Sequence, residues 1–234
     1  MFHKAGVTGS FALVDGDRNR VVLSDERASR ERLPPASTFK VLNALIALET
    51  GVVQEESEIF PWNHQPLLLE TWQRDLTLKE AMLVSSVPVF QQVARRIGLE
   101  RMRHYIGQTG YGNGAVGDVV DRFWLDGPLA ISALEQAQFM ARLAHEQLPF
   151  SQQSQQRLRR IMPMEEIGTA QVYWKTGWAM NHQPMIGWYV GWVDNRDQKV
   201  AFALNMAMTS MEQAPLRRSL AITALHHLGV ITTP

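Results

Sequence analysis

A serine with a lysine three residues later, Ser37-Thr38-Phe39-Lys40, is the first place in this chain where residue types and spacing could do chemistry. On a helix, positions three apart share a face, so the Ser37 hydroxyl and the Lys40 amine can meet. A serine hydroxyl is a weak nucleophile until a neighbouring base takes its proton. An amine can take it only when neutral or modified, and burial in an apolar helix disfavours its charged form. Ser37 also stands at a helix start, where free backbone N–H groups favour developing negative charge. Taken alone, the four residues read equally as a helix cap and a surface lysine. No other serine in the chain has lysine three positions on.

Two further clusters carry polar chemistry. In Ser85-Ser86-Val87, at the end of one predicted helix, a hydroxyl could pass a proton between the lysine and a leaving amine. A capping serine is the plainer reading of that triplet by itself. In Lys175-Thr176-Gly177, strand alternation puts Lys175 and Gly177 on one face. A cation there can hold a substrate carboxylate, and the bare Gly177 lets a ligand approach the backbone. Other combinations fail. His145-Glu146 is followed by Pro149 where a zinc-protease helix needs histidine. Gly110-Tyr111-Gly112-Asn113-Gly114 lacks the lysine of a phosphate loop.

The elements that must position these residues follow from punctuation and periodicity. Alternating runs at 9–14 and 20–23, joined by Asp15-Gly16-Asp17, predict a β-hairpin. Pro34-Pro35 before, Gly51 after, and Leu42, Leu45 and Ile46 at helical spacing predict a central, buried helix over 37–50. Residues 52–75 read as a long irregular connection, and 77–84, 89–97 and 100–107 as short helices. A helix over 131–146 has a capping box in Ser132 and Glu135, and another covers 153–161. Beyond 168 the pattern turns to strands at 170–174, 186–193 and 200–205, then a helix over 217–228 stopped by Gly229. Strands at both ends with helices between predict a mixed α+β fold: an antiparallel sheet, flanking helices and a helical region. We expect a single domain over 1–234, with its sheet region at 1–35 and 165–234 and its helical region at 52–164.

Composition narrows the function. Lys+Arg and Asp+Glu both total 23, so nothing attracts nucleic acid or an anionic membrane. The absence of cysteine removes disulfides, thiolate metal sites and cysteine nucleophiles together. Residues 1–6 contain no apolar stretch of signal-peptide length, and no run of about 18 apolar residues occurs to span a bilayer.

Ser-x-x-Lys, a middle serine motif and Lys-Thr-Gly, in this order, resemble the signature of serine β-lactamases and penicillin-binding proteins. The middle motif Ser85-Ser86-Val87 is similar to the Ser-x-Val of class D, the oxacillinase type, where class A has Ser-Asp-Asn. Tyr111-Gly112-Asn113 resembles that class's Tyr-Gly-Asn loop, and Phe123-Trp124-Leu125-Asp126-Gly127-Pro128-Leu129 its tryptophan-bearing Ω-loop. The resemblance runs from about Gly9 to Gly229 and implies the penicillin-recognising fold. It implies an acyl-enzyme at Ser37, with Ser85 and Lys175 catalytic. Lys40 would be N-carboxylated by CO₂ or bicarbonate as general base, with Trp124 donating to the carbamate and no other cofactor or metal. Backbone N–H groups of Ser37 and Trp178 would form the oxyanion hole. Val87, Leu125, Thr176, Gly177 and Trp178 would line the substrate site, and Arg217, beside Arg218, most nearly matches the carboxylate-binding arginine. A β-lactam substrate, a monomer or homodimer, and a periplasmic location complete the implication. Sensor domains that are acylated without turnover, and cell-wall D,D-peptidases, share much of the pattern.

Overall fold

A computed structural model of the chain describes residues 1–195 and 198–232. Strands β1 (Gly9–Asp15) and β2 (Arg20–Leu23) form the expected hairpin, and α1 (Glu26–Arg30) follows with Asp25 accepting from Ala28 N. A 3-10 turn, Ala36–Phe39, leads into α2 (Lys40–Glu49). Every residue of α2 from Lys40 to Leu48 is buried, as an apolar helix without a polar face must be. The connection to residue 75 is irregular apart from the small pairing of β3 (Ile59–Phe60) with β4 (Leu76–Thr77). Helices α3 (Leu78–Leu83), α4 (Val87–Ile97) and α5 (Leu99–Thr109) come next. After them stand α6 (Ala133–Ala144), whose capping box is the expected Ser132 and Glu135, and α7 (Gln152–Ile161).

Four strands and a helix finish the chain: β5 (Met164–Ile167), β6 (Ala170–Ala179), β7 (Met185–Asn195), β8 (Gln198–Met208) and α8 (Ala214–His227). The large sheet has the order β2-β1-β8-β7-β6-β5, and its neighbouring strands pair antiparallel. Alternation along β7 and β8 divides the core. Trp188, Val190, Trp192, Ala201 and Ala203 face the helices that include α2 and α6. Tyr189, Val193, Phe202 and Leu204 face Leu220, Ala221 and Leu225 of α8. The mixed α+β architecture is the expected one. Helix α6 differs from the helical region assigned to it, because its apolar face lies on the sheet.

Strand β6 continues from the apolar run at 170–174 through Lys175-Thr176-Gly177, where strand alternation was expected, to Ala179. Pairing with β7 in register, Lys175 opposite Val190 and Gly177 opposite Trp188, extends it despite its poor strand formers. Strand β5 was not foreseen. It is a polar edge strand, and edges carry charge because charge discourages pairing with another chain.

Candidate active site

The three clusters separated by up to 138 positions in sequence converge at the junction of α2, the α3–α4 turn and β6. Lys40 Nζ lies 2.6 Å from Ser37 Oγ and 2.8 Å from Ser85 O, with Ser85 Oγ at 3.2 Å. Lys175 Nζ reaches the same Ser85 Oγ at 2.8 Å and Thr176 O at 3.1 Å. Ser85 can turn both its carbonyl and its hydroxyl on Lys40 because its backbone is left-handed, with φ 57°. That conformation is uncommon for a non-glycine residue. Ser86 then caps α4 through a 3.5 Å contact from Val89 N, and Pro88 occupies its first turn.

Both lysines are fully buried. Burial drives the Lys40 amine well below the ordinary lysine range, and the neighbouring Lys175 charge pushes it further down. The Phe90 ring, 5.7 Å from Lys40 Nζ, is part of those apolar surroundings. Burial likewise lowers Lys175, to about 7, with the Arg217 charge adding to the effect. No carboxylate offsets either shift. A neutral amine beside a serine hydroxyl can accept its proton, and only a neutral amine can capture CO₂.

A cleft of about 430 Å³ opens over Ser37. Ser85, Val87, Leu125, Thr176, Gly177, Trp178 and Arg217 all border it, so the residues expected to contact substrate come together. Arg217 donates from Nη1 to Gly177 O at 2.8 Å and from Nε to Ala214 O at 2.9 Å. Its stem crosses β7 at Gly187, where a Cβ would stand 2.7 Å from Arg217 Cδ. Arg218 instead binds Glu165, with Nε 3.0 Å from Oε1, and does not border the cleft. Gly177 borders the cleft and is also approached from within the chain. A Cβ there would meet Pro35 O at 3.0 Å and the Thr38 methyl at 3.1 Å, so the glycine admits the protein's own serine turn.

Trp124 is fully buried, stacked on Phe39 at 5.3 Å, and its indole N–H has no partner. A buried donor without an acceptor costs about 1–3 kcal/mol. The loop bearing Trp124 is fastened by Asn113, whose Nδ2 donates to Pro128 O at 2.9 Å and whose Oδ1 accepts from Ala130 N at 3.1 Å. Among the described residues no group of three or more His, Cys, Asp or Glu could hold a metal ion.

Sequence reasoning missed the rim. Leu68, Leu69, Trp72, Leu83, Met180 and Met211 line the cleft, and all but Trp72 are exposed. Asp126 joins the loop to the β6–β7 connection, binding Arg122 and accepting from Asn181 Nδ2 at 2.7 Å. The sequence signal for part of this rim is the unusual stretch over 61–74, with its apolar Leu67-Leu68-Leu69 run; Leu83, Met180 and Met211 carry none.

Two serines, two buried lysines and an arginine from α8 around one cleft define a penicillin-recognising serine acyltransferase site. The family model for the penicillin binding protein transpeptidase domain matches residues 11–224. The chain is 38% identical over 234 residues to β-lactamase OXA-10 of Pseudomonas aeruginosa, covering 98% of this chain and 88% of that one. A crystal structure of the class D β-lactamase YbXI from Nostoc superposes with TM-score 0.94 at 36% identity, covering 97% of this chain and 96% of that one. Regulatory protein BlaR1 of Bacillus licheniformis is 29% identical over 230 residues, 98% of this chain but 38% of that protein. The chain belongs to the class D serine β-lactamases.

Proposed function

We infer that this protein hydrolyses the β-lactam amide of penicillin-type antibiotics through a Ser37 acyl-enzyme, and so confers resistance. One observation carries the reading. Lys40 Nζ, fully buried and without a carboxylate partner, stands 2.6 Å from Ser37 Oγ. Arg217 and Thr176 on the cleft wall offer donors to the substrate carboxylate. Ser37 Oγ attacks the lactam carbonyl, and its proton passes to the base. The Ser37 and Trp178 backbone N–H groups hold the resulting oxyanion, worth about 3–4 kcal/mol per donor in comparable sites. The C–N bond then breaks. Ser85 Oγ, between the two lysines, gives its proton to the leaving nitrogen and is resupplied by Lys175. Water cleaves the Ser37 ester and releases the opened product.

The orphaned Trp124 indole and the depressed Lys40 amine fit carboxylation of Lys40. Once formed, the carbamate supplies an anionic base beside Ser37. Val87 and Phe90 hold this side of the cleft apolar, which keeps the amine neutral and ready for CO₂. Export to the periplasm follows from the substrate, since such enzymes intercept antibiotics there. No helix of the described residues is long and apolar enough to cross a membrane.

Intact-mass spectrometry during nitrocefin turnover tests the reading. An acyl adduct on Ser37 should form and disappear during steady hydrolysis, and Ser37→Ala should lose both. A single stoichiometric adduct that persists would replace the hydrolase with a sensor domain.

A further inference from the structure

The Tyr111-Gly112-Asn113 motif takes no part in the chemistry above, yet one end of it leads to the nucleophile. Tyr111 is buried, and its hydroxyl lies 3.3 Å from Gln136 Oε1. Gln136, at the end of the first turn of α6 and fully buried, donates from Nε2 to Thr38 Oγ1 at 2.5 Å. Thr38 Oγ1 donates to Pro35 O at 2.8 Å. A hydroxyl has one proton. Because Thr38 gives its proton to Pro35, Gln136 must present a donor to it, and Oε1 is left for the tyrosine. The network therefore fixes the amide orientation. Burial raises the Tyr111 phenol far above its ordinary range, so it remains a donor.

The relay ends on Pro35 and Thr38, which bracket Ala36 and Ser37. That turn needs restraint. Ala36 has φ 47°, a left-handed conformation that an alanine adopts only when its surroundings impose it. Trp188 Nε1 holds one side by donating to Pro34 O at 2.9 Å, and Gln136 holds the other. Filling this part of the core would not require an amide, since a methionine of similar volume would pack. The amide's distinctive contribution is its grip on Thr38.

We propose that Gln136 is a positioning residue for the nucleophile: through Thr38 it fixes the Ala36–Phe39 turn so that Ser37 Oγ stays on Lys40 Nζ. This rests on the reading of Ser37 as nucleophile. Gln136 touches neither substrate nor reacting atoms, and its effect should fall on the acylation rate more than on binding.

Three substitutions separate positioning from packing. Gln136→Met keeps volume and loses the amide, Thr38→Val keeps shape and loses the hydroxyl, and Thr38→Ser restores the hydroxyl. Stopped-flow nitrocefin kinetics on each should show acylation slowed about 10- to 100-fold in Gln136→Met and Thr38→Val. The substrate dissociation constant should move less than about 3-fold, and Thr38→Ser should acylate within about 3-fold of the parent. The double variant should be no slower than the slower single, because both cut one relay. Acylation within about 2-fold of the parent in both variants, even with a lowered Tm, would overturn the proposal, as would additive losses. If Gln136→Met fails to fold, Thr38→Val against Thr38→Ser decides alone. Ser37→Ala is run in parallel. Turnover surviving in it would sink the nucleophile and the relay together, whereas an inactive Ser37→Ala beside a fast Gln136→Met sinks the relay only.

Discussion

Replacing Trp124 by phenylalanine removes a fully buried indole N–H that, like that of Trp178 on the cleft wall, has no partner. The ring is fully buried and stacked on Phe39 at 5.3 Å with an interplanar angle of 27°. Phenylalanine keeps an aromatic face there and removes the N–H that lacks an acceptor. A hydrogen bond to a charged acceptor contributes about 1.5–3 kcal/mol, which at about 1.4 kcal/mol per tenfold is a factor of about 10–150. If that N–H serves a Lys40 carbamate, Trp124→Phe should raise the bicarbonate needed for half-maximal activity by this factor.

The void left by the smaller ring also lowers stability, by about 1–3 kcal/mol, partly offset because an orphaned donor has gone. Stability and carbamate formation are distinguishable because only the latter responds to bicarbonate. The assay is steady-state nitrocefin hydrolysis in CO₂-depleted buffer, titrated with bicarbonate. Carbamate is counted in parallel by NMR with carbon-13 bicarbonate. A parent-like midpoint and carbamate signal in Trp124→Phe would refute the pairing of this indole with Lys40. They would leave Ser37 untouched.

Other consequences are more direct. Arg217→Ala should raise KM for a penicillin about 10- to 100-fold, whereas Arg218→Ala, which breaks an exposed pair with Glu165, should change it less than about 2-fold. Lys175 has a folded pKa of about 7 against an ordinary 10.5, so the folded chain binds fewer protons than the unfolded one between those values. Stability measured by urea unfolding without bicarbonate should therefore rise from pH 7 to 10, by up to about 1.4 kcal/mol per unit for this group, and be lost as pH falls through 7; Lys175→Met should flatten the slope. Gly112→Ala should lower Tm by about 4–12 °C in thermal melts, because φ is 57° and the new Cβ would stand 2.2 Å from Ala130 O.

The sequence made the candidate reacting groups legible because their types and order are restrictive. Ser37, Lys40, Ser85 and Lys175 could be named before any coordinate, and α2 and α6 were readable from prolines, a glycine and a capping box. Helix α1 was invisible, being one turn long and held by its Asp25 cap. The end of β6 was less plain: Lys175, Thr176 and Gly177 interrupt the apolar run at 170–174, and pairing with β7 carries the strand through them to Ala179. Gly177 shows the limit of reading by residue type: its lack of a side chain signalled a close approach, but not that Pro35 and Thr38 of the same chain make one beside the cleft.

The electrostatics could not be read in one dimension at all. Arg217, Lys175 and Lys40 are 42 and 135 positions apart, and nothing local says that they form a row into the protein. In the fold, burial lowers all three, Arg217 to about 10 and Lys175 to about 7. Charge then acts along the row, Arg217 on Lys175 and Lys175 on Lys40. Removing any carboxylate from this neighbourhood is what makes the arrangement work. An acidic partner would keep Lys40 protonated and useless as a base, whereas the Lys175 charge behind it favours its neutral form. If a substrate carboxylate binds Arg217, as proposed, it offsets that charge and so favours a proton on Lys175, 2.8 Å from Ser85 Oγ, on the path along which the leaving nitrogen must receive one.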